Sequence, residues 1–196
     1  MRVLFAACLV LLIIVVLWII SGTYNVAAVE PHSEAMRWLL ASVRDRSVAN
    51  QSQAIHPPSL QDSALVQTGF QEYHMMCFTC HAAPGYEASA IGKGLNPVPP
   101  KLEARRTQAR SDAELYWIIK NGLRMTGMPA FGPTHDEKTL WSLVAFLRQL
   151  PKTDRQEYSA LLESAGLPEN AGEHSHQHAH LHENEGSGDG DQSESR

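Results

Sequence analysis

The stretch EYHMMCFTCHAAPG, residues 72–85, places two cysteines three positions apart and a histidine directly after the second. A CxxCH segment serves three chemistries: covalent attachment of a haem, a zinc site, or thiol–disulfide exchange. The i, i+3 spacing on a helix puts Cys77 and Cys80 on the same side of the chain. Thioether bonds to the two vinyl groups of a haem need this arrangement, and His81 then lies beneath the ring as a ligand of the iron.

The two alternatives to haem lack support elsewhere in the sequence. A structural zinc site takes four Cys or His ligands, usually in two closely spaced pairs, and the same region offers only His74 and His135 at unrelated positions. A thioredoxin-like dithiol is expected beside a βαβ pattern, which is missing. The sequence therefore favours a covalent haem, with a zinc or dithiol site as the alternative.

A sixth ligand for the iron is found in NGLRMTGMPAFG, residues 121–132. Met128 lies between Gly127 and Pro129, in a tight loop where a thioether can be fixed against the iron. We therefore predict Met128 as the second axial ligand. The other candidates for this position are Met125, His74 and His135.

The beginning of the chain is apolar without interruption from Val3 to Ile20. This run is longer than the roughly 7 to 15 apolar residues of a signal peptide and approaches the roughly 20 of a membrane span. We therefore favour a retained anchor over residues 1–22, although residues 26–28 (Val-Ala-Ala) resemble a cleavage site. Cys8, inside the run, is interpreted as an inert buried thiol.

Residues 23–58 are interpreted as a juxtamembrane helix followed by a linker. After Ser33, four apolar residues recur at i, i+3, i+4 and i+7, the spacing of an amphipathic helix. These residues are Met36, Leu39, Leu40 and Val43. The stripe suits either a helix on the membrane surface or one packed on the following domain, and Pro57 and Pro58 favour a linker.

Residues 59–165 are predicted to form an all-α domain, since no strand-like alternation of useful length occurs. Asp62 is a plausible N-cap for a helix that leads into the CxxCH segment. Prolines and glycines predict mostly loop from Ala82 to Arg110, and a loop of this length in a compact domain needs a large group to wrap around. Two capping-box patterns open further helices: Ser111 with Glu114, and Thr134 with Glu137.

Residues 166–196 are low in complexity, acidic and rich in histidine, so we expect a disordered tail. The tail holds seven acidic residues against Arg196 alone, so the rest of the chain is near +1 although the formal net charge is −5. No basic patch suggests nucleic-acid binding. Alternating histidines on one side of an extended chain favour Cu, Ni or Zn. The predicted ligands of such a site are His174, His176, His178, His180 and His182.

Three motifs, CFTCH, NPVPPKL and NGLRMTGMPAFG, follow one another in this order. With the flanking helices they make residues 62–150 similar to class I cytochromes c, specifically the membrane-anchored mono-haem type of bacterial respiratory chains. The resemblance implies a few helices wrapped around one covalent haem c, with Pro100 accepting a hydrogen bond from the axial histidine. It also implies crossed terminal helices with a small residue and aromatic rings at the contact. Here those residues would be Gly69, Tyr73, Leu143 and Phe146.

The resemblance further implies a one-electron carrier, alone or as a subunit of a larger oxidoreductase, rather than an enzyme. It would pass electrons between a membrane dehydrogenase or quinol-oxidising complex and a terminal oxidase. Haem in this family is attached outside the cytoplasmic membrane, so we expect a single-pass inner-membrane protein with its haem domain and tail in the periplasm. The alternative is a periplasmic Cu, Ni or Zn protein that binds metal through its tail, with the haem as a redox accessory.

Overall fold

The computed structural model describes residues 1–169, which contain helices and loops but no β-strand. The predicted all-α fold is confirmed. In chain order the helices are α1 (Arg2–Ile20), α2 (Glu34–Gln51), α3 (Ser63–Met76), α4 (Phe78–His81), α5 (Ala90–Gly94), α6 (Arg105–Gln108), α7 (Asp112–Asn121), α8 (Glu137–Gln149), and, after a 3₁₀ turn (Leu150–Lys152), α9 (Arg155–Ala165).

Helix α1 stands apart from the rest of the fold. It is the one helix within residues 1–169 that is long and apolar enough to cross a membrane, and none of its residues is buried. An unburied helix of this composition is stable only where apolar surroundings cover it. The finding fits the predicted membrane anchor.

The centre of the domain is the crossing of α3 and α8. At this crossing a Cβ atom on Gly69 would lie only 1.9 Å from the Ser142 carbonyl oxygen, so the two backbones touch. The rings of Tyr73 and Phe146 pack beside the contact with centroids 5.2 Å apart, and Leu143 is fully buried. The helix contact implied by the resemblance is therefore present.

The helix ends follow short-range rules, with one correction. Asp62 caps α3, and the Ser111–Glu114 capping box opens α7, both as predicted. Helix α8, however, begins after Asp136, whose side chain accepts a 2.7 Å hydrogen bond from the Thr139 amide. The predicted cap at Thr134 is wrong, because that residue lies in the preceding turn and its hydroxyl donates to the Phe131 carbonyl oxygen.

Helix α2 packs on the domain rather than standing free. It contacts α7, and Val48 and Ser52 near its end are buried. Of the two predicted placements, packing on the domain is the one seen. Three of the four residues of the predicted apolar stripe, Met36, Leu39 and Val43, are nevertheless exposed. The fourth, Leu40, is half-buried, on the side of the helix that also carries the buried Val48.

Helix α9 packs behind the CxxCH segment. Asp154 and Glu157 open it with a capping box, and Tyr158 is fully buried against Phe78 and Phe70. Its ring thereby fills the space behind the helices that carry the candidate site.

Candidate haem site

A cavity of about 340 Å³ lies between α3, α7, α8 and the loops that join them. Cofactor sites in proteins measure roughly 300 to 1,000 Å³ and are mostly apolar, as this one is. Five residues predicted from the sequence line it together: Cys77, Cys80, His81, Pro100 and Met128.

The attachment segment, residues 77–81, continues α3 after a one-residue break. Cys77 caps α3, and its carbonyl oxygen accepts hydrogen bonds from the amides of Cys80 at 3.1 Å and His81 at 2.9 Å. This single turn holds both thiols and the imidazole at one end of the cavity. Tyr73 then donates a 2.6 Å hydrogen bond to the Ala82 carbonyl oxygen, which ties the exit of the turn back to α3.

The imidazole of His81 is oriented from the far side of the cavity. Its Nδ1 lies 2.8 Å from the carbonyl oxygen of Pro100, so Nδ1 carries the proton and Nε2 is left to bind a metal. The loop that supplies this carbonyl is fixed in turn. The side-chain amide of Gln108 donates a 2.8 Å hydrogen bond to the Leu102 carbonyl oxygen, and the Thr107 hydroxyl donates to the Lys101 carbonyl oxygen.

Met128 is presented by residues 122–132, here called the methionine loop. The loop is closed by a 3.1 Å hydrogen bond from the Leu123 amide to the Met128 carbonyl oxygen, and the Thr126 hydroxyl accepts from the Met128 amide at 3.1 Å. The amides of Phe131 and Gly132 return to the last carbonyl oxygens of α7, at 3.1 and 2.9 Å. The last carbonyl oxygens of α7 thereby gain donor partners that a helix end otherwise lacks.

The competing ligand candidates are held elsewhere. Met125 is 74% exposed and does not border the cavity. His74 is buried on the side of α3 that faces α9, where its Nε2 donates to the Pro168 carbonyl oxygen at 2.8 Å and its Nδ1 accepts from Tyr158 at 3.1 Å. His135 lies beside Thr134 at the start of α8, away from the cavity lining.

The cysteine environment disfavours zinc and dithiol chemistry. Burial, with smaller contributions from Cys80 and Glu72, raises the pKa of the Cys77 thiol to about 12, whereas cysteines that take part in disulfide exchange have a lowered pKa. Burial also raises the pKa of Cys80. In the part of the chain that the structure describes, no group of three or more Cys, His, Asp or Glu side chains is placed to hold a metal ion.

Three arginines on the cavity wall were not expected from the sequence: Arg44 from α2, Arg106 from α6 and Arg110 just after α6. They are the charged side chains that line the cavity, and all are cations. The sequence signal that would have found two of them is the i, i+4 spacing of Arg106 and Arg110 directly after the PPKL segment. Arg44 carries no such signal, because its place depends on how α2 packs.

This set of side chains fits a covalently attached haem. Two thiols stand one helical turn apart, an imidazole with a fixed tautomer and a thioether share the cavity, and the remaining wall combines apolar surface with cationic groups. The predicted tail ligands His174 to His182 lie outside the described residues.

Comparison with known proteins agrees with this site. Residues 64–147 match the family model described as "Cytochrome C oxidase, cbb3-type, subunit III". The matched range includes the attachment segment and the methionine loop but excludes α2 and α9. No curated protein matches the chain.

Proposed function

We propose that this chain, whose residues 64–147 form a mono-haem cytochrome c domain, transfers single electrons through one haem bound covalently by Cys77 and Cys80. The observation that carries the proposal is the meeting of the CxxCH turn, the Pro100 carbonyl and Met128 in one cavity. When bound, such a haem supplies the one-electron ferric–ferrous couple.

Each residue has a distinct part in this proposal. Cys77 and Cys80 would hold the macrocycle at the end of α3, and His81 would bind the iron through Nε2 while Pro100 keeps the imidazole oriented. Met128 would be the second protein ligand of the iron. An iron bound by both side chains would have no position for a substrate, which supports electron transfer rather than catalysis on a bound molecule. Methionine opposite histidine also raises the potential relative to two histidines.

The cavity lining reaches the surface, as electron exchange with a partner requires. Val98 lines the cavity and is 69% exposed. We propose that redox proteins of a respiratory chain dock at this opening. A membrane dehydrogenase or quinol-oxidising complex would then be the donor and a terminal oxidase the acceptor, with this chain acting alone or as an oxidase subunit.

Helix α1 supports a single-pass anchor in the inner membrane. We propose that the haem domain lies on the periplasmic side, because c-type haems of this family are attached there. Anchoring raises the local concentration of the domain near membrane-bound partners.

A visible spectrum with a redox titration tests the haem proposal in the full chain. The expected result is sharp reduced c-type bands and a weak near-red ferric absorption from the methionine–iron bond. Met128→Ala should abolish that absorption and lower the potential, whereas the matched Met125→Ala should keep both. Zinc in place of haem in the purified protein, or a Met125→Ala variant that alone loses the absorption, would refute the assignment.

A second proposed function rests on the alternation of the tail histidines. They would bind Cu, Ni or Zn in the periplasm, with the haem as a redox accessory. Calorimetric titration of the full chain with each metal, compared with a chain lacking residues 173–196, tests this. Equal binding by both chains would exclude the tail as the site.

A further inference from the structure

Helix α2 lies outside the matched residues 64–147, yet it reaches the cavity. The Arg44 side chain lines the cavity wall and is 31% exposed. Arg110 also lines the cavity and is 18% exposed, so two guanidinium groups from separate parts of the chain are largely withdrawn from water. Burying like charges together is unfavourable unless anions accompany them.

Asp45 supplies one such anion and links the helix to the cavity wall. Its carboxylate accepts a 2.8 Å hydrogen bond from Arg44 Nε and a second hydrogen bond from Arg110, and lies 3.8 Å from Arg106. Burial raises the pKa of Asp45, but the hydrogen bonds from the two arginines outweigh it and leave the pKa below its ordinary value. The carboxylate therefore stays ionised.

The cluster still has more positive than negative charge. Its three arginines face Asp45 and Glu114, whose carboxylate lies 3.6 Å from Arg110. A haem carries two carboxylates and would be attached by its vinyl groups to Cys77 and Cys80. The cationic wall is the part of the cavity lining that complements those carboxylates.

The wall is rigid on the domain side. Arg148 of α8 donates hydrogen bonds of 2.8 Å and 2.5 Å to the carbonyl oxygens of Gln108 and Arg110, and its Nε lies 2.6 Å from Asp112. The backbone that carries Arg110 is thus fixed to α8. Such support holds the Arg110 side chain in position before any anion arrives.

The segment before α2 is also hydrogen-bonded to the loop that borders the same cavity. The side-chain amide of Asn96 donates 3.0 Å hydrogen bonds to the carbonyl oxygens of Ala28 and Glu30. Its neighbours Leu95 and Pro97 line the cavity. The chain between α1 and the domain is therefore held at both ends of α2.

We propose that α2 is a wall of the haem site and that Arg44 joins Arg106 and Arg110 in binding the haem carboxylates. The inference rests on the haem attachment proposed above. The segment between the membrane span and the domain is then part of the cofactor site rather than a flexible linker. It therefore limits the orientations that the haem can take relative to the membrane.

The role of α2 can be tested by measuring the reduction potential of the full, haem-loaded chain in detergent. Removing Arg44 and removing Asp45 should shift this potential in opposite directions. Loss of a cation beside the haem favours the more positive oxidised form, so Arg44→Ala should lower the equilibrium constant for reduction roughly tenfold, about 59 mV for one electron. Asp45→Asn removes an anion and should raise it. The matched control is Arg37→Ala on the same helix, whose partner Glu34 is exposed, and it should leave the potential unchanged.

Hydrogen–deuterium exchange of the same samples tests the packing of α2 directly. Amides near Val48 should be protected in the wild type. Exchange there as fast as in an unfolded peptide, or an Arg44→Ala shift no larger than that of Arg37→Ala, would overturn the inference. A wild-type chain without c-type absorption would instead refute the haem proposal itself.

Discussion

The attachment segment and the methionine loop form opposite sides of one cavity and are stabilised in different ways. The attachment segment extends a regular helix whose other face is packed against α8 and α9. The methionine loop has no regular structure and is held by hydrogen bonds to itself and to the end of α7. Disruption of the core should therefore affect haem attachment, whereas disruption of the loop should affect only the Met128 side.

The largest effect is expected from Gly69→Ala, which breaks the core behind the attachment segment. The new Cβ would lie 1.9 Å from the Ser142 carbonyl oxygen, so α3 and α8 must move apart. We expect a loss of about 3 kcal/mol in the free energy of unfolding. Denaturant unfolding followed by haem absorbance measures it.

Gly94→Ala is the matched control for this change. No atom lies within 4 Å of the added Cβ, so the expected change is within about 0.5 kcal/mol. If Gly69→Ala does not accumulate, its yield of holoprotein relative to Gly94→Ala is the readout. Equal stability and yield for both variants would contradict the close helix crossing.

Gly122→Ala is the corresponding change in the methionine loop. Gly122 has φ +66° and ψ −173°, a conformation essentially limited to glycine, and the new Cβ would lie 2.7 Å from the Ala130 amide nitrogen. We expect a cost of about 2 kcal/mol and loss of the near-red methionine–iron absorption, with the haem still attached. Retention of that absorption would show that the loop tolerates the change and that the Met128 side does not depend on the loop backbone.

Gly127→Ala should have a smaller effect on the same loop. Its Cβ would lie 2.6 Å from a terminal methyl of Leu95, which is the end of a flexible side chain. A partial weakening of the methionine–iron absorption and a cost of about 1 kcal/mol are expected. In a double-mutant cycle with Leu95→Ala the two changes should compensate, and strict additivity would rule out this contact as the cause.

The smallest effect is expected for His74, which lies in the core behind the attachment segment. It is a change in how the free energy of unfolding depends on pH. Burial lowers the pKa of His74, opposed by its hydrogen bond to Pro168, so the folded state holds a neutral ring. The unfolded chain takes up this proton first, and this part of the stability is present above about pH 6.5 and decreases as pH falls below that value. A glutamine side chain also has a donor and an acceptor but does not titrate, so His74→Gln should remove this decrease in stability at low pH.

Denaturant unfolding from pH 8 to pH 5 measures this difference. The slope of stability against pH should be shallower in His74→Gln than in the wild type. Identical slopes would mean that His74 does not titrate on unfolding. Gly122→Ala should keep the wild-type slope, because the methionine loop takes no part in this network.

Features that depend on neighbouring residues were predictable. The capping residues of α3 and α7 were predicted correctly, because each side chain accepts a hydrogen bond from a backbone amide two or three positions along the chain. The cap of α8 was missed because Thr134 and Asp136 both have suitable side chains, and only the course of the preceding turn decides between them. The two short helices in the predicted loop, α5 and α6, are held by contacts with distant segments.

The sequence by itself determined the CxxCH motif, the all-α class and a first helix apolar enough to span a membrane, because spacing and composition carry these directly. Tertiary structure alone decided that Met128 borders the cavity while Met125 does not, and that His74 is a core residue. It also brought Arg44 to a cavity formed mainly by residues far along the chain. Such placements depend on which faces of separate helices meet, and that is set by long-range packing rather than by any local pattern.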